Sequence, residues 1–434
     1  LDLQKMSWMQ DLRIGRALFE GLVKNDIFSW GFDINPGVAD RWEVSEDRRT
    51  YTFHLRADAK WSNGQPVTAE QFVYSWRRGL LPDTGCDYAG MFQKIAGAKA
   101  FYDWRQAELD KFAAEPGDGS RPLDQTAAHR LWVRTLEKFD ELVALKAVDA
   151  RTLRVRLAQP TPYFLDLCAF GVFYPVYPPL VSQYEKPDPA TGRLDIQFGW
   201  TKPPLMVSNG AFQLTQWRYR RDMRLEKNPH FWDRANVAVE SIAVPSIEDQ
   251  NGAVLAYRSG GVDWVSDVSP PYRADILADK HRFYHEHAAE YESLKLQGME
   301  PLEIDRRLPP DPRNHIHTYP AFGTYFYNFN CRPRLQDGRD NPFANPKVRK
   351  AFAVAIDKER IVSRIRRVGE QPALTLIPRG SIAGYRSPAG VPYNPELART
   401  LLAEAGFPGG KGFITVELLF NTDGGHDLVA QAVA

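Results

Sequence analysis

The sequence predicts a mixed α/β protein of two or three domains. Its 434 residues suffice for that many well-buried cores. The run from Leu55 to Leu80, LRADAKWSNGQPVTAEQFVYSWRRGL, reads as strand end, turn, turn and helix. Strand and helix patterns then alternate along the rest of the chain, each marked by period-two apolar residues or by a capping signal.

The elements follow in order. Leu1 to Val23 reads as a short extended piece and a helix patterned by Leu12, Arg16, Leu18, Phe19 and Leu22. Tyr51, Phe53 and Leu55 alternate with polar residues, the period of a half-buried strand. Ser62, Asn63 and Gly64 form a turn cluster. Thr68 precedes Gln71 by three residues, a capping box, and Phe72, Val73 and Trp76 place one apolar face on the helix that follows. Residues 98–142 carry a helix around Phe101 to Phe112, a loop EPGDGSRP from Glu115, and a second helix with Leu131, Trp132, Leu136 and Phe139. Leu153, Val155 and Leu157 mark a strand, and NGAF from Asn209 opens a hairpin whose second strand holds MRLEKNP from Met223. A helix following Asp249 is stopped by Gly260 and Gly261. The run GTYFYNFN from Gly323 reads as a strand, Asn345-Pro346 and Asn394-Pro395 open helices, Gly406 closes the second of these, and Ile414 to Phe420 alternates as a further strand.

The totals exclude several classes. With 55 basic and 54 acidic residues the formal charge is +1, which supports neither nucleic-acid nor membrane-surface binding by charge. No apolar run approaches the roughly 18 to 20 residues of a membrane helix. Eleven Trp, 18 Tyr and 24 Phe fit either an ordinary core or an adaptable pocket, and the core is the expected reading. Three cysteines, Cys86, Cys168 and Cys331, form no metal-type pair and cannot all be bridged within one chain. The chain starts at Leu1 without Met and stops inside a helix-patterned run, His426 to Ala434, so both ends are expected to be cut relative to a natural product.

Catalytic motifs fail on inspection. There is no Gly-x-Ser-x-Gly elbow and no His-Glu-x-x-His. The run AGFPGGKG from Ala405 lacks the leading Gly and the hydroxyl residue of a phosphate loop. His285, His287, His315 and His317 form two His-x-His pairs without a joining cysteine, and alternate residues on a helix do not share a face, so a metal site is not expected there.

Wording beyond this local physics is specific. The strand–turn–helix run from Leu55 resembles extracellular solute-binding protein family 5, the peptide-binding receptors of bacterial ABC importers. RALFEGL from Arg16, PGVADRWE from Pro36, QPTPYF from Gln159, the hairpin from Asn209, the helix ending AYRSGGVD and NPKVRKAFAVAIDKERI from Asn345 are similar to further phrases of that family. Residues 98–142 and 282–319 are longer than its pattern, and surface elaboration is expected of the first, with a lid or partner-binding role as the alternative.

The resemblance implies a two-lobed α/β fold of the periplasmic binding-protein type, class C, with an extra inserted subdomain and its C-terminal part missing. The first lobe would take residues 1–19 and 177–322, the inserted smaller subdomain 20–176, and the incomplete second lobe 323–434. It implies capture of oligopeptides outside the cytoplasmic membrane for an ABC permease, by a monomer that meets the membrane only through that permease or a lipid anchor. No catalytic residue, cofactor, metal or nucleic acid is implied.

Site residues carry over position by position. Tyr88 falls where oligopeptide receptors place a tyrosine near the peptide's amino end. Ser7, Trp8 and Met9 fall on the extended segment that pairs with the peptide backbone, as in strand addition. Arg366 falls on the cation for the peptide carboxylate, and His426 on a histidine of similar role. Arg366 equally fits a solvated helix face, His426 a turn and Tyr88 a core position. The family's acidic anchor for the peptide amino group lies beyond residue 434. Gly323 occupies the position of the first member of a cysteine pair found in some of these receptors, so that bridge is expected to be absent. Within the family a dipeptide, oligosaccharide, haem or nickel chelate is the alternative ligand, and an exported hydrolase is the alternative from another class.

Overall fold

The computed structural model describes residues 1–26, 33–114, 125–266, 268, 270–317, 323–379, 385–421 and 424–434. The chain divides into two compact units, Leu1–Ser246 and Ile247–Ala434.

The first unit begins with a single 3-10 turn, Leu3–Lys5, and helix α1, Met9–Leu18. A short hairpin, β1 (Val23–Asn25) with β2 (Ile34–Pro36), leads to β3 (Ala39–Val44) and β4 (Thr50–Leu55). As expected from the alternation, Tyr51, Phe53 and Leu55 are buried while Thr50, Thr52 and His54 lie on the other face. Gly64 takes the positive φ of 82° that its turn requires. The capping box opens α2, Ala69–Leu80, with both of its bonds in place. Gln71 does double duty there, its Oε1 accepting from the backbone N–H of Thr68 and from Trp61 Nε1, each at 2.8 Å. Phe72, Val73 and Trp76 are buried, and Trp76 meets Phe92, Phe164 and Phe173 in an aromatic core.

Helix α3 (Ala89–Phe92) is followed by the hairpin of α4 (Ala98–Ala114) and α5 (Gln125–Leu142), the two helices expected in residues 98–142. Their expected loop, 115–122, lies outside the described residues. The sheet is completed by β5 (Leu145–Asp149) and β6 (Thr152–Arg156), giving the antiparallel order β3–β4–β6–β5. Helices α6 (Phe164–Cys168) and α7 (Pro178–Val181) and the ladder of β7 (Glu185–Pro187) with β8 (Leu194–Ile196) follow. The unit ends in a meander, β9 (Phe212–Arg218), β10 (Asp222–Lys227) and β11 (Ser241–Pro245), which contains the expected hairpin.

The regular elements described in the second unit are helices. Helix α8, Gln250–Arg258, is capped by Asp249 and ends before Gly260, at φ 75°. Helices α9 (Pro270–Glu286), α10 (Ala288–Leu296) and α11 (Pro301–Arg307) enclose a small core of Phe283, Leu294, Ile304 and Leu308. Helix α12, Pro346–Ala355, starts at the Asn345 cap and the first-turn proline, as its sequence predicts. Helix α13, Lys358–Arg360, runs into a wide helical turn, Ile361–Arg366. Helix α14 is Pro395–Glu404 and α15 is His426–Val433.

Two expectations are corrected here. Neither 323–330 nor 414–420 is a strand, because no described segment of this unit supplies a ladder partner for them. Period-two apolarity produces a strand only where a neighbour satisfies the backbone groups. Met9 is also not extended; it is the first residue of α1, since the Trp8 carbonyl already accepts from Leu12 N at 3.0 Å.

Candidate functional site

The candidate residues fall into two groups, one in each unit. In the first, Trp8 is extended at φ −90° and ψ 142°, between Ser7 and the start of α1. The chain just before them is fixed by a buried network. The Arg78 guanidinium donates to both oxygens of Asp2 at 2.6 and 2.5 Å, to Gln4 Oε1 at 2.9 Å and to Glu185 Oε1 at 2.5 Å. Gln4 Nε2 donates in turn to the carbonyls of Val172 and Tyr174. Three ionised groups survive burial because each is paired and hydrogen-bonded. Beyond this anchor, Trp8 is 67% and Met9 69% exposed. Tyr88, half-buried, donates its hydroxyl to the Ser7 carbonyl at 3.4 Å and sets its ring edge-on to Phe170 at 4.9 Å. The structure therefore brings Tyr88 to Ser7 and holds a stretch of backbone beside two large exposed apolar side chains. Sequence reasoning missed Asp2, Arg78 and Glu185, whose separation along the chain hides their pairing.

In the second unit, Arg366 ends the wide turn that follows α13. Its Nε donates to Glu370 Oε1 at 2.9 Å and its Nη1 reaches the Gly424 carbonyl at 3.4 Å. Gly424 and Gly425 take φ of 63° and 77°, which turns the chain into α15 at His426. His426 Nδ1 lies 2.9 Å from the Tyr325 hydroxyl, and the two rings stack at 5.3 Å. Tyr325 donates to the Tyr327 hydroxyl at 3.3 Å. Burial, and then that bond, push the Tyr325 hydroxyl well above its ordinary pKa. Arg366 and His426 thus share one cluster with Tyr325 and Tyr327. The tyrosines stand at i and i+2 in the run read as a strand, the one sequence signal that they lie on one face.

Glu370 was also missed. It occupies Arg366, so the guanidinium is neither a free cation nor a merely solvated one. One Glu370 oxygen, Oε2, is buried with no hydrogen-bond partner. A ligand carboxylate has the same shape and charge as the Glu370 side chain, and Nη2 of Arg366 has no partner among the described residues. The paired histidines gather no group of three metal-ligating side chains among the described residues. His317 faces Asp305 at 3.1 Å, beside the buried pair of Lys280 and Asp305 at 2.7 Å. The cavity there, about 50 Å³, is too small for a peptide. All three cysteines are free thiols.

Residues 33–434 match the family model described as bacterial extracellular solute-binding proteins, family 5. The chain belongs to this family. The periplasmic oligopeptide-binding protein OppA of Salmonella typhimurium is 29% identical to it over 439 residues, covering 100% of this chain and 65% of the relative. The periplasmic murein peptide-binding protein MppA of Escherichia coli is 29% identical, covering 100% of this chain and 66% of the relative. The chain thus spans 65% of the length of the first of these. Among solved structures, the E. coli murein tripeptide binding protein superposes with a TM-score of 0.71 at 28% identity, covering 100% of this chain and 69% of the other. OppA of Haemophilus influenzae, solved with the peptide RPPGFSPFR, gives 0.69 at 25% identity, with 100% and 69% covered. The α/β fold of the periplasmic oligopeptide-binding proteins is therefore the fold of this family member.

Proposed function

We propose that this chain forms most of the receptor subunit of an ABC importer, capturing oligopeptides outside the cytoplasmic membrane and delivering them to the permease. The observation that carries this reading is the family match over 33–434, with oligopeptide- and murein-peptide-binding relatives aligned along the whole chain. The receptor binds and releases without a reaction, as a monomer. It meets the membrane through the permease or a lipid anchor.

In this reading Ser7, Trp8 and Met9 present backbone and apolar side chains to the peptide, with Tyr88 fixing Ser7. Arg366 and His426 take the terminal carboxylate, with Arg366 exchanging Glu370 for the ligand. Charge-assisted bonds of that kind are short and strong in a poorly hydrated cleft. The lobes are assigned as 1–19 with 177–322, the smaller subdomain 20–176, and 323–434. The joining of the first two segments is supported by Gly210 N donating to the Leu18 carbonyl at 2.8 Å.

Native mass spectrometry of the full protein from cells, followed by denaturing release and sequencing of the cargo, tests the function. Peptides of several residues are the expected cargo. A released sugar, haem or metal chelate would overturn the substrate and leave the fold untouched.

A further inference from the structure

The outer face of the sheet β3–β4–β6–β5 carries a feature that peptide capture does not use. Tyr51, Phe53, Leu153 and Val155 point into the core, so the opposite face presents Thr50, Thr52, Arg154, Arg156 and, from the edge strand, Lys146. The three cations are exposed. Lys146 sits directly opposite Arg154 in the β5–β6 ladder, and Arg156 follows on the same face. Like charges placed opposite one another weaken a sheet. Nothing local relieves the conflict: neither Lys146 nor Arg154 forms an ion pair among the described residues. Arg156 acts on Asp47 only as a neighbouring charge, since the bonded Asp47 oxygen is engaged by Ser45 Oγ and Arg49 N. Two acids stand on this face: Glu43, over on β3, is occupied by His54 at 3.1 Å, and Asp149, opposite Thr152, is engaged by the Arg151 backbone N–H at 2.8 Å.

A sheet that keeps such a pair fits an anionic partner. Arg154 and Arg156 are two residues apart along a strand, about 6.5 to 7 Å, and Lys146 and Arg154 are about 4.5 to 5.5 Å apart across the ladder. Carboxylates three or four residues apart on a helix are spaced about 5 to 6 Å. Arginine grips carboxylate through two parallel bonds, and threonine hydroxyls between the cations add donors. A bilayer surface would be met by aromatic or apolar side chains beside the cations, and here the neighbours are threonines. We propose that this face docks a carboxylate-bearing helix of the importer's membrane-embedded subunits, an inference that rests on the receptor reading above.

The test uses the full chain with Lys146→Thr, Arg154→Thr and Arg156→Thr combined. Threonine is a strong strand former, and the substitutions remove the repulsion, so the melting temperature is expected to hold or rise. Three readouts are compared: peptide affinity of the purified protein, peptide uptake by cells whose own copy is replaced, and binding to phosphatidylglycerol vesicles. Peptide affinity is expected to stay within about twofold while uptake falls about tenfold, the behaviour of lost charge complementarity at an interface. Uptake is expected to return in a second variant that keeps the charges, K146R with R154K and R156K. Unchanged uptake in the threonine variant overturns the proposal. So does vesicle binding by the wild type that the threonine variant loses, which would assign the face to lipid. A wild-type chain that binds no peptide overturns the receptor reading, and this inference with it.

Discussion

Arg366 is held by Glu370 at 2.9 Å, and that contact sets how the proposed carboxylate site behaves. Releasing the guanidinium should favour a ligand carboxylate. Glu370→Gln is expected to tighten peptides with a free C-terminal carboxylate and to leave amidated peptides unchanged. Arg366→Ala is expected to weaken only the free-acid peptides, by the about 1.5 to 3 kcal/mol of a hydrogen bond to a charged group. Calorimetric titration of paired acid and amide peptides checks both. At another residue, Glu20, burial pushes the carboxyl up to about 7, although Trp232 Nε1 donates to it at 2.6 Å and Lys24 lies 3.7 Å away. The folded state therefore holds its proton at a pH where the unfolded state has released it. Stability from this site is full below the unfolded pKa and falls as pH rises between about 4.5 and about 7, by up to about 3 kcal/mol. Glu20→Gln keeps an acceptor for Trp232, and it is expected to flatten that part of the melting-temperature profile. A slope unchanged by the substitution would rule Glu20 out as its source.

At the level of elements, a buried pair fastens the α4–α5 hairpin to its unit beside the core packing of Phe101 and Phe139. Arg105 and Asp83 are both fully buried and bonded at 2.7 Å. Arg105 also donates to Thr135 Oγ1 on α5 and to the Gly192 carbonyl, while Asp83 accepts from Leu194 N on β8. Arg105→Leu would leave Asp83 buried without its charge partner, a loss of about 3 to 5 kcal/mol. Hydrogen exchange should then speed up in α4, α5 and β8, with β9 and β10 protected as before. The same scale shows what local sequence encodes. Thr68 and Gln71 specify the start of α2, and Asn345-Pro346 that of α12, because a cap is satisfied within one turn. Residues 323–330 carry strand alternation as plainly as 51–55 do, yet lie outside any ladder.

For the molecule as a whole, the two units differ in how much they bury. The large continuous core, from Leu3 to Leu225, belongs entirely to the first. The second relies on the small core around Phe283 and on ring contacts among Phe329, Phe343, Phe352, Phe407 and Phe413. Hydrophobic stabilisation scales with the apolar area removed from water. Scanning calorimetry of the Leu1–Ala434 chain is therefore expected to show two transitions, the lower one abolishing the stacking of Tyr325 on His426 and leaving the β9–β10 ladder protected. A single cooperative transition would mean that the units unfold as one.

The sequence by itself determined the family, the helix starts, the strand–turn–helix run and the inward faces of β4 and β6. These rest on neighbours in the chain: a side chain three residues from its cap, an apolar residue every second position, a glycine where φ is positive. Only the tertiary structure decided which charges are shared. Asp2 meets Arg78 and Glu185, Arg105 meets Asp83 and Gly192, and Arg366 meets Gly424 across long stretches of chain. Lys146 and Arg154 look like ordinary surface cations until the ladder sets them opposite each other. Electrostatic energy depends on distance in space and on burial, and composition records neither.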